Sequence, residues 1–445
     1  MVRPDHPVSR RCPLLRADRR ARGGVPRGQV RPGLPGVGGR RPRVRAGRPP
    51  LPAGGALVQL EDRARPRALR DLRGDDAPLP ARPRRAGAPG RPAHPRPAVD
   101  EPLRPRRGRL RHAAGPEEAD APLPPAAAGA AIYDLVTLGE VLLRLAIPSP
   151  GRFETTRQLD VQLGGAEANV AATAARLGLR TAWISAVPDN PWGERVRREL
   201  ESHGVDCAHV RLRPDTRLGV YFIEYGVPPR PIRIQYDRRD SAFAGLTPED
   251  VDWEPVRQAG LVHLTGITPA LGAGPRALAE RALREAPVVS FDVNYRARLW
   301  KPDEAREVIL GFLPRVRYLF AGAEEARTVF GLTGPAEGLI AGLARLAPAA
   351  TVVLLLGEAG SVALDRTRLY RPTRRHSVQV VDPIGAGDAY VAGFLWALRR
   401  NRSLQEAVDV AAAVAAIKCS LWGDIAPLTP ADVEEALGGS PTVRR

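Results

Sequence analysis

From residue 131 to residue 440, the sequence alternates between short apolar runs and longer amphipathic stretches. The apolar runs, such as AWISAV, VVSFDV and TVVLLL, have the length and β-branched content of buried strands. The stretches between them, such as NPWGERVRRELESH and KPDEAREVILGFL, repeat apolar residues at helical spacing. Strands that alternate with helices indicate βαβ units. This part of the chain is therefore predicted to form an α/β fold around a mostly parallel sheet.

Two stretches interrupt this alternation. The sequences RLGVYFIEYGV and RPIRIQYDRRDSAF alternate polar and apolar residues with a period of two, and a proline-rich turn joins them. That pattern is typical of antiparallel strands with one solvated face. We expect a small β layer, acting as a lid, from segments near residues 150–165 and 217–243.

Residues 1–130 have a different composition from the rest of the chain. They hold 24 of the 46 prolines and 29 arginines, with no lysine and 12 acidic residues. The remaining residues hold 38 basic and 37 acidic side chains, so nearly all of the formal net charge of +18 lies in this leader. Proline blocks regular structure, and no apolar period persists long enough to bury a face. Two interpretations stay open: an Arg/Pro-rich disordered tail, or translated sequence upstream of the true start.

Composition and cysteine spacing exclude several classes of protein. Cys12, Cys207 and Cys419 lie too far apart for a disulfide framework or a paired metal-ligand motif. No apolar run reaches the length of a membrane span, and no apolar segment typical of a signal peptide follows the early arginines. We expect a cytoplasmic protein with no membrane partner, and no nucleic-acid partner for the folded domain.

The motif GAGDAYVAGF places a carboxylate, Asp388, behind a glycine turn that opens a helix. Ligands of α/β folds bind at the carboxyl ends of the strands, where the glycine clusters are expected to gather. A glycine turn at a helix N-terminus leaves N–H groups free to bind an anion such as phosphate. A carboxylate is a poor phosphate ligand, but it can accept a proton from an attacking hydroxyl.

Two motifs together indicate a family. DPIGAGDAYVAGF and GGAEANVAATAARLG resemble the C-terminal and N-terminal signatures of the ribokinase-like (PfkB) sugar kinases, in the expected order. The resemblance covers residues 131–440 and implies a three-layer αβα sandwich with a β lid, ATP and Mg²⁺ as cofactors, and a homo-oligomer formed through lid strands. Within the family, GGAEANVA, VYFIEY, QYDRR, HLTGITPAL and DVNYRARLW most resemble the 2-keto-3-deoxygluconate kinases.

The resemblance also implies roles for individual residues. Asp388 is the expected general base, and the amides of the turn before it form the anion hole. The residues expected to bind the sugar come from the N-terminal signature, the lid and the strand SFDVNYR. These anion-hole and sugar-binding residues are Gly385, Ala386, Gly387, Gly165, Asn169, Tyr221, Tyr236, Arg238 and Arg296.

The nucleotide and metal assignments depend on fewer residues. Asn294 is expected near the transferred phosphate, and Gly357 and Gly360 allow close approach of the nucleotide, together with Gly385 and Gly387. Glu325 is expected to organise Mg²⁺ through water. Gly322 stands where the family often has an asparagine, so the metal shell departs from the common pattern.

The residues favour an acidic substrate by a separate argument. Arg238 and Arg296 come from distant segments, and two arginine forks are well suited to a sugar carboxylate. The alternative for Arg238 is a solvated charge cluster on a lid strand, and for Tyr221 and Tyr225 it is packing of the lid. Asn169 either caps the glycine turn or contacts a substrate hydroxyl.

Three alternative functions follow from the same residues. A fructokinase, or another sugar kinase of the same fold, shares much of the DVN-x-R pattern. A non-catalytic sugar sensor would bind the keto acid without turning over ATP. A nucleic-acid-binding regulator would use the basic leader, although the intact GAGD motif argues against it. The sequence does not separate the gluconate-derived keto acid from its galactonate-derived epimer.

Overall fold

The computed structural model describes residues 131–148, 151–227 and 229–438. The predicted disordered leader, residues 1–130, lies outside these ranges. Within them the strands are β1 (Leu135–Leu138), β2 (Leu142–Ala146), β3 (Asp160–Gly164), β4 (Thr181–Pro188), β5 (Val205–Asp206), β6 (Val210–Arg213), β7 (Gly219–Glu224), β8 (Arg233–Asp237), β9 (Val262–Thr265), β10 (Val289–Asp292), β11 (Tyr318–Gly322), β12 (Thr351–Leu355), β13 (Ser361–Asp365) and β14 (Arg368–Tyr370).

The helices lie between these strands and after the last of them. They are α1 (Ala166–Arg176), α2 (Pro191–Ser202), α3 (Glu254–Arg257), α4 (Ile267–Ala270), α5 (Ala273–Glu285), α6 (Pro302–Phe312), α7 (Ala323–Phe330), α8 (Ala336–Leu346), α9 (Ala386–Arg399), α10 (Leu404–Cys419) and α11 (Pro430–Gly438). Within the described ranges, no helix has both the length and the apolar content needed to cross a bilayer.

The central sheet has the order β14-β13-β12-β11-β10-β9-β1-β4-β5, with β6 paired to β4. Every pair from β12 to β5 is parallel, and only the β12–β13 and β13–β14 pairs at one edge are antiparallel. A parallel sheet of this kind must be covered on both faces. The predicted mostly parallel sheet is confirmed.

Helices cover the two faces of this sheet. Leu135 of β1 belongs to the apolar cluster that includes α1, α9 and α10, whereas its neighbour Val136 belongs to the cluster on the opposite face that includes α5 to α8. Both side chains are completely buried. Successive strand residues point to opposite faces, so a strand such as β1 that is buried at every position belongs between two helical layers. The architecture is thus the three-layer αβα sandwich.

A second, four-stranded sheet forms the lid, with the order β3-β2-β7-β8. The two expected lid segments supply β3, β7 and β8. The expected lid segments did not include β2. In the structure β2 lies in the lid, antiparallel to β3 and parallel to β7. The chain therefore leaves the central sheet for the lid directly after β1.

Candidate active site

A cavity of about 230 Å³ lies between the carboxyl ends of the central strands and the lid. Eleven residues assigned to the site from the sequence line it: Gly165, Asn169, Tyr221, Tyr236, Arg238, Asn294, Arg296, Glu325, Gly385, Gly387 and Asp388. Ala386 lies in the turn between two of these glycines. Gly357 and Gly360 are not among the lining residues; they form the turn after β12, both with positive φ.

Asp388 lies in the first turn of α9, which begins directly after Gly385. Gly385 has φ 84°, and a Cβ there would collide with the carbonyl oxygen of Asp424. Glycine is therefore required for the chain to turn into α9 so close to Asp424. Of the three predicted anion-hole amides, that of Ala386 also donates a long bond to Pro383 O at 3.3 Å.

The carboxyl group of Asp388 has an unusually high pKa. Burial, together with the nearby carboxylates of Asp424 and Glu167, raises its pKa from 3.8 to about 7. The hydrogen bond from Asn169 and the charge of Arg296 act in the opposite direction. A carboxyl group with a pKa near neutrality is suited to accept a proton during catalysis at neutral pH.

Asn169 connects the two glycine turns of the site. Its Oδ1 accepts a bond from the N–H of Gly165 at 3.3 Å, and its Nδ2 donates to Asp388 Oδ2 at 2.7 Å. The side chain is buried at 2% exposure. Two roles for Asn169 were considered from the sequence, and of these the capping of the glycine turn is observed. The hydrogen bond to Asp388 is an additional role that neither of them included. Asn169 fixes the orientation of the Asp388 carboxylate.

Two tyrosines of the lid form one wall of the cavity. Tyr221 on β7 lies directly opposite Tyr236 on β8, and their rings stack with centroids 5.6 Å apart. The Tyr221 hydroxyl donates to Asp424 Oδ2 at 2.6 Å, which ties the lid to the loop after α10. Tyr225 packs against Trp422 instead and does not line the cavity. For Tyr225, lid packing is thus the observed role.

The two arginines expected to bind a carboxylate differ in their surroundings. Arg238 has a side chain only 9% exposed and donates to Glu140 Oε2 through Nε, at 2.9 Å, and through Nη2. Arg238 is therefore not a solvated surface charge, but it already has a carboxylate partner. Arg296 donates to Tyr295 O at 3.3 Å and, within the described part of the chain, forms no salt bridge. Its charge is the one more readily available to a ligand.

Acidic side chains gather at the ends of β10 and β11. Burial, with the nearby charges of Glu325 and Asp388, raises the pKa of Asp292 well above its usual value. Burial also raises the pKa of Glu325, whose oxygens accept bonds from the amides of Gly322 (2.8 Å) and Tyr295 (2.9 Å). Such a concentration of buried negative charge is suited to a hard divalent cation such as Mg²⁺.

The described residues do not by themselves form a complete metal centre. No group of three or more His, Cys, Asp or Glu side chains within those ranges converges to hold an ion. A cation at Asp292 and Glu325 would thus need water or ligand phosphates for the rest of its coordination, as is usual for Mg²⁺.

Asn294 follows this acidic group in a strained conformation. Its φ is 38°, its Nδ2 donates to Asp292 Oδ2 at 3.2 Å, and its Oδ1 is buried without a hydrogen-bond partner in the described residues. Strained backbone of this kind clusters at functional sites. The side-chain amide of Asn294 is thus fixed by Asp292 at the wall of the cavity.

A buried ion cluster lies behind the glycine turn. Arg144 of β2 donates to Asp382 Oδ2 at 2.5 Å, and its Nε lies 3.2 Å from Asp424 Oδ1. Lys418 of α10 donates to Asp382 O at 2.8 Å. Arg144, Asp382 and Lys418 are completely buried. Because these charges neutralise one another away from water, they fix the lid strand and α10 to the segment that leads into Asp388.

Sequence reasoning missed four acidic residues that line the cavity: Glu140, Glu167, Asp292 and Asp424. The rule that sites lie at the carboxyl ends of strands could have identified two of them, since Glu140 follows β1 closely and Asp292 ends β10. Glu167 stands inside the GGAEAN motif, and its Oε1 accepts bonds from the Thr265 and Thr268 hydroxyls. Asp424 has no local signal in the sequence.

A profile of the pfkB family carbohydrate kinases matches residues 133–431, which is more than half of the chain. This chain belongs to the pfkB family of carbohydrate kinases. Two curated relatives match this chain over nearly their whole length. The 2-dehydro-3-deoxygalactonokinase of Haloferax volcanii is 39% identical over 310 residues, covering 69% of this chain and 97% of the relative. The 2-dehydro-3-deoxygluconokinase of Thermoproteus tenax is 34% identical over 314 residues, covering 69% and 95%.

A solved structure supports the same family. The crystal structure of 2-dehydro-3-deoxygluconokinase from Thermotoga maritima superimposes with a TM-score of 0.65 at 32% sequence identity. The match covers 68% of this chain and 98% of the other. Together with the fold, these matches identify the chain as a carbohydrate kinase, and kinases of the pfkB family use ATP.

Proposed function

We propose that this pfkB kinase transfers the γ-phosphoryl group of ATP to 2-keto-3-deoxygluconate, giving 2-keto-3-deoxy-6-phosphogluconate. One observation carries the proposal: Asp388 stands at the N-terminus of α9, held by Asn169, in the same cavity as Arg238 and Arg296. This arrangement supports a site in which Asp388 acts as the base, the glycine turn binds the anion and an arginine binds the sugar acid. Relatives that are named for 2-keto-3-deoxy sugar acids support the choice of substrate.

In the proposed reaction Asp388 accepts the proton of the primary hydroxyl at C6. The C6 oxygen forms its bond to the γ-phosphorus while the bond from that phosphorus to the bridging oxygen of ATP breaks. ADP leaves with the electron pair of the broken bond, and charge on the transferred group is stabilised by the amides of Gly385 to Gly387. The pKa of about 7 allows Asp388 to be ionised before transfer and protonated after it.

The sugar acid is proposed to lie between the lid and the central sheet. Tyr221, Tyr236 and Gly165 would line it, and Arg296 would bind its carboxylate, because this guanidinium has no carboxylate partner within the described ranges. Closure of the lid over the sugar would exclude water, which limits hydrolysis of ATP.

ATP is proposed to extend from the glycine turn toward Gly357 and Gly360, with Asn294 beside the transferred phosphate. A Cβ on either glycine would meet no atom within 4 Å, so open space adjoins the turn. The adenine ring is proposed to enter a second cavity of about 420 Å³, whose lining combines apolar residues such as Val378 and Ile417 with polar ones such as Gln379. Mg²⁺, when bound, neutralises phosphate charge, and Asp292 and Glu325 would hold it, Glu325 through water.

The test is ADP release by the full chain with ATP and Mg²⁺. The substrates are 2-keto-3-deoxygluconate, 2-keto-3-deoxygalactonate, fructose, ribose and gluconate, each with and without the chelator EDTA. Turnover confined to the keto acids and abolished by EDTA is the expected result. Preference for fructose would replace the proposal by the fructokinase alternative. Binding of the keto acid without ADP release would favour a sugar sensor.

The C4 epimer, 2-keto-3-deoxygalactonate, is a second candidate substrate. It is favoured by the 39% identity to the Haloferax volcanii 2-dehydro-3-deoxygalactonokinase, which exceeds the 34% identity to the Thermoproteus tenax gluconokinase. The ratio of kcat/KM for the two keto acids decides between the epimers.

A further inference from the structure

The buried carboxylate of Glu140 has an oxygen that no protein group satisfies. Glu140 lies in the three-residue segment between the end of β1 and the start of β2, is 2% exposed and lines the cavity. Its Oε2 accepts both bonds from Arg238. Its Oε1 is buried and has no hydrogen-bond partner in the part of the chain that the structure describes. One oxygen of this carboxylate therefore accepts hydrogen bonds from Arg238, and the other has no donor within the described residues.

A buried oxygen without a donor is costly. Leaving a polar group unsatisfied costs about 1–3 kcal/mol, and more when the group is charged. A carboxylate can only accept hydrogen bonds, so the missing partner must be a donor. Within this cavity the donors that a sugar acid brings are its hydroxyl groups, whereas its carboxylate and the phosphates of ATP would repel Glu140.

From this geometry we infer that Glu140 determines substrate specificity by accepting a hydrogen bond from one hydroxyl of the sugar acid. In this assignment, which rests on the proposed function, Arg238 is a positioning residue. It holds Glu140 in place from the end of β8 and stabilises the charge of the carboxylate. The substrate carboxylate is then left to Arg296, which reaches the cavity from the segment after β10, two strands away from β1 in the sheet.

The pair also explains how the lid can sense the substrate. Arg238 follows β8 of the lid, and Glu140 follows β1 of the central sheet, so their salt bridge crosses from one sheet to the other. A hydroxyl bound at Oε1 completes the hydrogen bonding of the same carboxylate. The correct sugar thereby stabilises the contact that holds the lid over the cavity.

The experiment compares wild type with Glu140→Gln on three substrates: 2-keto-3-deoxygluconate and its analogues that lack the hydroxyl at C4 or at C5. For wild type, removal of the recognised hydroxyl is expected to lower kcat/KM by about 10- to 100-fold, the range for hydrogen bonds to charged groups. For Glu140→Gln, the parent keto acid should lose a similar factor, and the matching deoxy analogue should lose less than about 3-fold further. Such non-additivity is specific to a direct contact.

A purely structural role gives a different result. If Glu140→Gln lowers kcat/KM by the same factor for all three substrates, the inference is overturned. Arg238→Lys is the second variant, in case Glu140→Gln does not fold; it should weaken discrimination at the same hydroxyl, and unchanged discrimination would also overturn the inference. If wild type phosphorylates another sugar instead, the proposed function fails, and the comparison is made with monodeoxy analogues of that sugar. A wild type that phosphorylates no sugar refutes both ideas.

Discussion

Replacement of Asp388 by asparagine should abolish most activity and also make the folded protein more stable. The substitution keeps the shape of the side chain, and the amide oxygen can still accept the bond from Asn169 Nδ2. What it removes is a negative charge in a partly dehydrated cavity that already contains Asp424 and Glu167. It also removes the group that accepts the proton of the sugar hydroxyl, so turnover should fall by about 10²- to 10⁴-fold.

The stability gain can be estimated from the acidity of Asp388. Its pKa rises from 3.8 to about 7 on folding, and one pKa unit corresponds to about 1.4 kcal/mol. The full shift would therefore destabilise the ionised folded state by about 4 kcal/mol at pH 8. Asp388 is only half-buried, and solvent screening reduces this to roughly 1–2 kcal/mol. For a domain of this size the expected increase in Tm is roughly 2–6 °C.

The pH dependence distinguishes this effect from an unrelated stabilisation. Because the folded-state pKa lies above the unfolded value, the carboxyl group leaves stability unchanged while it is protonated in both states, and it destabilises the folded protein once it ionises in the unfolded state. The free energy of unfolding of wild type should thus decrease relative to the Asp388→Asn variant as the pH rises from about 4 to about 7. The assay is thermal unfolding of both proteins at pH 5, 6, 7 and 8 without nucleotide. An equal Tm at pH 8, or a difference that does not change with pH, would refute the reasoning.

Three further predictions concern residues around Asp388. Asn169→Ala should lower kcat by about 10- to 100-fold with little change in KM, and the rise of kcat/KM with pH should move above pH 7, because the bond that lowers the pKa of Asp388 is lost; a pH–rate profile measures both. Arg144→Met leaves Asp382 buried without its guanidinium partner and should destabilise the fold by about 3–5 kcal/mol, as measured by urea unfolding; a loss below 1 kcal/mol would contradict the buried ion cluster. Gly385→Ala forces a Cβ into the turn before α9 and should abolish ADP release, whereas Gly438→Ala, where a Cβ meets no atom within 4 Å, should leave it unchanged.

The sequence could predict the parts of the molecule whose signals are local. The apolar strands, the glycine turn and the carboxylate of Asp388 are each recognisable within about fifteen residues, and the central sheet follows from their order. The lid hairpin around Tyr221 and Tyr236 was equally accessible, because both strands carry a period-two pattern. These elements required no knowledge of which distant segments meet.

The interactions that complete the site were not accessible in this way. Tyr221 meets Asp424 across 203 residues of chain, and Arg144 meets Asp382 across 238 residues. Nothing in the neighbourhood of any of these residues encodes its partner, because the pairing is created only when the sheets assemble. The pairing of Arg238 with Glu140 was missed for the same reason, and it changes which arginine is available to a ligand.

The order of strands in the lid has a consequence for how the protein folds. Its central pair, β2 and β7, is parallel, and residues 142 and 219 are paired although 77 positions separate them. Closing so long a loop costs conformational entropy before any strand contact is gained, so such pairs form slowly. The lid is therefore expected to assemble after α1 and β4 have docked. A refolding chain would therefore pair β4 with β1 while the lid over its substrate cavity is still incomplete.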